Sequence, residues 1–111
     1  MNLKEKLLLT VPEFDFREYQ NEDDFIVVCF FALFTANNMH STTIMEHCAD
    51  CIAFIYNNKY PDYDAMLDQI ALTLFDEDQF NDVFLKMLPA EVQKRFHTSI
   101  AMWRQGSGSV Q

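Results

Sequence analysis

The sequence predicts an all-α fold: a compact single-domain bundle of five to six short helices around a central apolar helix at residues 22–36. Three observations carry this reading. Residues 1–105 contain no glycine, the two glycines being Gly106 and Gly108. Tight hairpins, phosphate-cradling loops and nucleophile elbows lean on glycine at positive φ, so sheets and those sites become poor readings together. Prolines and paired asparagines cut the chain into segments of helix length, and within each segment apolar residues recur at helical spacing. Finally, half of the 111 residues are hydrophobic and eleven are Phe, enough to build one core despite the charge.

The elements follow in order. Leu3, Leu7 and Leu8 give a short first helix that Pro12 ends, because the residue before proline is pushed out of the α region. Residues 13–20 mix Phe14, Phe16 and Tyr19 with charges and read as an ordered connector pinned by its aromatics. Asn21 caps a second helix through about Ala36, with Glu22, Asp23 and Asp24 in its electropositive first turn. Its body, residues 25–34, is apolar on every side, which places it at the buried centre. The β-branched and aromatic residues at 25–31 also suit a buried strand; length and the missing hairpin chemistry favour helix.

Asn37–Asn38 and Asn57–Asn58 stand where left-handed C-terminal caps are expected. Between them Ser41 or Thr42 caps a third helix with Ile44, Cys48, Cys51, Ile52 and Ile55 on one stripe. Asp62, after Pro61, opens a fourth helix with Met66, Leu67, Ile70, Ala71 and Leu74 inward. Asp76 with Gln79 has capping-box spacing and begins a fifth carrying Phe80, Val83, Phe84, Met87 and Leu88. Pro89 takes the first position of a sixth, with Val92, Phe96, Ile100 and Trp103 as its stripe. Residues 1–105 form the helical domain, and Gly-Ser-Gly-Ser-Val-Gln at 106–111 has the composition of a flexible linker tail.

The charge is lopsided. Residues 13–82 hold fifteen carboxylates against Arg17 and Lys59, whereas the flanks are net basic, for a net charge of −9. Such a surface repels nucleic-acid phosphates and steers toward basic partners. The longest apolar stretch, ten residues, is short of the roughly 20 needed to span a bilayer, and no secretory signal pattern is present. Three cysteines cannot pair completely within one chain, and with the acidic, signal-free composition they read as reduced thiols in the cytoplasm.

Plain packing competes with each known chemistry the sequence offers. His47-Cys48-Ala49-Asp50-Cys51 could hold zinc with His40 or Cys29, or act as a redox pair. Yet Cys48 and Cys51 fall on the inward stripe, where cysteine packs as a small hydrophobe, so core packing is the preferred reading. Asp76-Glu77-Asp78 and Asp82 fail the EF-hand pattern, with Phe80 at a ligand position, Met87 where the bidentate Glu belongs and no loop glycine. No spacing joins Ser41, Thr42, Thr43 or Ser99 to His40, His47 or His97 as a catalytic set, and His97 reads as a half-buried helix residue.

What departs from a plain solvated surface is the arrangement of acids. Glu46/Asp50, Asp64/Asp68 and Asp78/Asp82 are like-charged i, i+4 pairs on predicted helices, each costing about 0.2–0.5 kcal/mol in an isolated helix. Asp62, Tyr60 and Tyr63 add acid and aromatic character around Pro61, and Phe54 lies on the outer side of the third helix. The expectation is a non-enzymatic protein-binding module without a cofactor or metal. Its partner-binding residues are Glu46, Asp50, Asp62, Tyr63, Asp64, Asp68, Asp78 and Asp82. They would dock on a protein with a basic surface, including one that itself binds nucleic acid, in the manner of an inhibitor, an immunity protein or a DNA mimic. Two alternatives stay open: a homo-oligomer such as a homodimer, solubilised by its acids, and a metal- or redox-responsive protein acting through Cys48 and Cys51.

Overall fold

Asn2 accepts the Glu5 N–H at 2.8 Å while Glu5 accepts the Asn2 N–H at 3.0 Å, a capping box that starts α1, Leu3–Thr10. Leu3 and Leu7, one turn apart, point inward with Val11, and Leu8 falls on the opposite side and is exposed. The computed structural model describes the backbone of residues 1–109 and the side chains of residues 1–106. Among the described residues it has six α-helices and no strand, and 72% of those residues are helical. The connector after α1 contains one 3₁₀ turn, Arg17–Tyr19. The expected aromatics pin it: Phe14 packs on Phe31 and Phe34, with ring centroids at 5.8 and 5.2 Å, and Tyr19 stacks on Phe30 at 3.8 Å.

The second helix, α2, spans Asp24–Asn37. Its cap is Asp23, whose carboxylate accepts the Ile26 N–H at 3.0 Å, so the helix starts two residues after the expected onset and Asn21 does not cap it. Val27, Val28, Phe31, Ala32, Thr35 and Ala36 form one buried stripe. The expectation of burial on every side does not hold, because Ile26 is 36% and Leu33 41% exposed. A bundle of this size has too few helices to surround a central one.

Ser41 caps α3, Thr42–Asn57, by accepting the Ile44 N–H at 3.3 Å. Its inward stripe contains Cys48, Cys51, Ile52 and Ile55 as expected, and Ile44 is only partly buried. The fourth helix, α4, is Tyr63–Asp76. Asp62 precedes it in the left-handed region, φ 66°, and its side chain caps nothing.

Helix ends are finished differently from the expected asparagine caps. Asn38 and Asn58 keep negative φ and donate their side-chain amides to the carbonyls of Phe34 and Phe54, at 2.7 and 2.9 Å. The left-handed positions are Lys59 (φ 48°) and Asp78 (φ 54°). Each closes a Schellman motif: Tyr60 and Gln79 donate N–H groups back to the carbonyls of Ile55 and Leu74, at 3.1 and 2.8 Å. Asp76 therefore ends α4 instead of starting the next helix, and no Asp76–Gln79 box forms. The fifth helix, α5, is a single turn, Asp82–Leu85, capped by Asn81, whose Oδ1 accepts from the Val83 and Phe84 N–H groups. The last, α6, runs Ala90–Ser109. Pro89 sits just before it and lends its carbonyl to the Gln93 N–H at 3.0 Å. The linker-like stretch is thus helical as far as Ser109, and residues 110–111 lie outside the described residues.

The helices pack with α2 against α3 and α4, α6 on α4, α1 on α3, and α5 on α3. Phe31, Phe84 and Phe96 are fully buried at the centre. Phe80 meets Phe96 edge-on at 6.5 Å, and Phe75 packs on Trp103 at 5.4 Å. No helix among the described residues is long and apolar enough to cross a membrane.

Two residues apart on α2, Phe31 and Leu33 should behave differently. Phe31→Ala is expected to lower the unfolding free energy by about 3–5 kcal/mol by opening a core cavity. Leu33→Ala should cost less than about 1 kcal/mol. Chemical denaturation of the two variants checks this; equal losses would contradict the one-sided burial.

Candidate partner-binding surface

The like-charged pairs meet three different fates. On α4, Asp64 and Asp68 both face Arg95 of α6: Nη1 reaches Asp64 Oδ1 at 2.7 Å and Nε reaches Asp68 Oδ1 at 3.3 Å. One guanidinium thus offsets the repulsion of the pair and clips α6 to α4. On α3, Glu46 and Asp50 are exposed, and Asp50 lies 3.5 Å from Lys6 Nζ of α1. Asp78 and Asp82 do not share a helix: Asp78 occupies the left-handed turn after α4, while Asp82 is the first residue of α5. Of the three expected pairs, two are therefore helical and both have a base against them.

Tyr63 opens α4 half-buried, edge-on to Tyr56 at 6.4 Å. Lys59 Nζ lies over both rings, 4.6 Å from Tyr56 and 5.4 Å from Tyr63, a cation–π arrangement. These tyrosines, with Lys59, Asp68, Glu91, Lys94 and Arg95, line a cleft of about 550 Å³ against α6. Three bases face two acids in that lining, so the Tyr63–Asp64–Asp68 part of the expected surface is not strongly acidic.

The uncompensated acids gather elsewhere. Asp23 and Asp24, at the start of α2, come together with Asp62 around a pocket of about 300 Å³. Phe25, Tyr60, Pro61 and Met66 complete the lining, and no basic residue does. Tyr60 organises this place, its hydroxyl donating to Asp24 Oδ2 at 2.7 Å and accepting the Leu3 N–H at 2.9 Å. Burial and this bond to a carboxylate push the Tyr60 phenol up from its ordinary value. Of these three, the sequence predicts only Asp62 as a site residue, Asp23 and Asp24 standing there as first-turn acids. Each acid group is legible as a helix start, but nothing in a single sequence says that two helix starts meet.

The remaining candidates fall into the frame of the fold. Phe54 is half-buried and packs on Tyr60 at 5.9 Å, with Lys6 Nζ 5.6 Å from its ring. Cys48 and Cys51 are buried. Burial pushes their thiols up to about 11 and about 12, against the thiolate that redox or metal chemistry needs. No group of three or more His, Cys, Asp or Glu side chains among the described residues is arranged to hold a metal ion. His40 and His97 are exposed, His97 more so than expected, and His47 Nδ1 sits 2.9 Å from Glu13 Oε2. The chain matches no family model, no curated protein and no solved structure.

Two predictions follow from the ion pairs. Asp64→Lys with Asp68→Lys should do more than recolour the surface, since it sets two ammonium groups against Arg95; a loss of about 1 kcal/mol is expected. Adding Arg95→Glu should restore most of it in thermal melts, and a cycle without coupling would show that the clip contributes nothing. The hydrogen bond from His47 holds the Glu13 carboxyl below its usual range. A depressed carboxyl pKa adds stability above the unfolded-state value, which is lost as pH falls through the folded-state value. The melting temperature of Glu13→Gln should therefore fall less steeply than that of the parent protein between about pH 5 and pH 3.

Proposed function

We propose that the protein is a non-enzymatic binding module that docks an acidic surface on a basic surface of a partner protein in the cytoplasm, as an inhibitor or immunity-type protein does. The observation that carries this reading is the pocket in which Asp23, Asp24 and Asp62 meet over Phe25, Tyr60 and Met66 with no base among its lining. An ammonium or guanidinium entering it finds carboxylates at the rim and aromatic and thioether surface for its methylene stem. Aromatic residues under a charged rim are the composition of strong interface anchors. Glu46, Asp78 and Asp82 extend the acidic surface around the molecule and raise the encounter rate without each needing a contact. A partner that is itself a nucleic-acid-binding protein presents the kind of basic face this surface complements.

A homo-oligomer is the second reading, favoured by the exposure of Ile26 and Leu33 on α2 and of Leu72 on α4. A net charge of −9 opposes it, since like-charged copies repel.

The test uses isosteric neutralisation. Asn is tolerated at left-handed φ and its amide oxygen can still accept from Tyr60, so Asp24→Asn with Asp62→Asn should keep the fold. A partner captured from native lysate at low salt and identified should associate several-fold more slowly with the variant, the gap closing as salt rises. Binding indifferent to both changes, with light scattering reporting a multiple of 13.0 kDa, would put the homo-oligomer ahead.

A further inference from the structure

The end of α1 carries apolar side chains the fold does not use. Leu3, Leu7 and Val11 supply its buried side, whereas Leu8 and Leu9 are 66% and 70% exposed. Leu8 is one wall of a groove of about 340 Å³, with Pro12 beside it and Phe14 and Phe16 as its floor. That floor is fixed from beneath. Phe14 and Phe16 pack together at 5.7 Å, and Phe14 rests on Phe31 and Phe34 of α2. The groove is therefore formed before anything enters it, which removes the ordering cost that a mobile site would carry.

At its far end the groove runs into a second depression of about 500 Å³ lined by Asp15, Arg17, Glu18 and Tyr19, the two sharing Asp15 and Arg17. Arg17 is taken by Asp15, its Nε and Nη2 lying 3.0 and 2.7 Å from the two carboxylate oxygens. Lys4 Nζ is held by the carbonyls of Gln20 and Glu22, at 2.9 and 2.7 Å. Glu18, in the lining of the second depression, is exposed and has no ion pair among the described residues. An apolar floor beside the uncompensated Glu18 carboxylate fits neither a second copy of this chain nor an acidic segment, both of which bring like charge.

We propose that this groove receives a bulky apolar side chain of the partner protein, with a neighbouring lysine or arginine of the same segment meeting Glu18. The proposal rests on the reading of a basic partner and adds where that partner's apolar anchor sits.

Two synthetic hexapeptides of equal charge test it, each with three lysines, one carrying Trp and the other Ala at the same position. Titrated into ¹⁵N-labelled full-length protein at low salt, the Trp peptide should shift the amide signals of Leu8, Phe16 and Gln20. It should bind about tenfold tighter than the Ala peptide. Leu8→Ser should erase that difference, and Leu33→Ser, exposed on α2, should leave it. Glu18→Gln should weaken both peptides. Equal, salt-sensitive affinities for the two peptides would overturn the groove while leaving the basic-partner reading standing. Leu8-dependent binding of the Trp peptide that ignores salt and Glu18→Gln would keep an apolar site and overturn both the Glu18 contact and the basic-partner reading. Binding of neither peptide would overturn the groove proposal.

Discussion

The hydroxyl of Tyr60 is the point at which three separate parts of the chain are tied together. It accepts the Leu3 N–H and donates to Asp24, so the starts of α1 and α2 meet at the corner between α3 and α4. The corner is itself built by local chemistry. Lys59 takes the left-handed position of a Schellman motif, which turns the chain and brings the Tyr60 N–H back to Ile55. Pro61 and the left-handed Asp62 then redirect it into α4. Asp62 comes to face Asp23 and Asp24 as a consequence of that turn. The acidic pocket thus depends on one phenol and two left-handed backbone positions, more than on the number of acids.

Acid content and acidic surface are accordingly different things in this molecule. Arg95, 31 residues beyond Asp64, folds back to take both carboxylates of a pair that in isolation would repel. Lys6 does a weaker version of the same for Asp50. Exposed pairs of this kind add little to stability, at most about 1 kcal/mol each. Their effect on the field is larger, because each cancels charge where a partner would otherwise sense it. The basic flanks of the sequence, α1 and α6, are used in part to quench the acids of α3 and α4. Among the described residues, the acids left without an ion pair include Asp23 and Asp24 at the start of α2, Asp62 at the α3–α4 corner, Glu18 of the connector, Glu46 of α3 and Asp76, Glu77, Asp78 and Asp82 around the α4–α5 turn.

The helices were legible because each has a local cause. Ser41, the stripes of α3, α4 and α6, and the aromatic connector follow from capping and period, and the structure has them where the sequence puts them. The places where the reading slipped are those where two residues of similar chemistry compete for one role. Asp23 outcompetes Asn21 as the α2 cap, and Asn81 outcompetes Asp76 as the α5 cap. The asparagines after α2 and α3 satisfy terminal carbonyls with their amides, and the left-handed positions fall instead at Lys59 after α3 and Asp78 after α4. The one-sided burial of α2 was illegible for another reason: a helix apolar all round gives no period from which to tell the covered side from the open one. The pocket of Asp23, Asp24 and Asp62 and the Arg95 clip were beyond reach because both join segments distant in the chain, and no local rule reports a distant contact.

In the proposed docking, the acidic pocket and the apolar groove would act over different ranges. Carboxylates act over a Debye length of about 8–10 Å and bias the approach of a basic surface before contact. Apolar side chains act only when water has left, so Leu8, Phe14 and Phe16 would influence how long a complex lasts and not how quickly it forms. A surface with acids alone would bind any basic protein and release it readily as salt rises. One with the groove alone would have little to distinguish a basic partner from a neutral one. On the proposed reading, the acids at the start of α2 and the α3–α4 corner would speed encounter, and the groove on the aromatic-pinned connector would add selective retention.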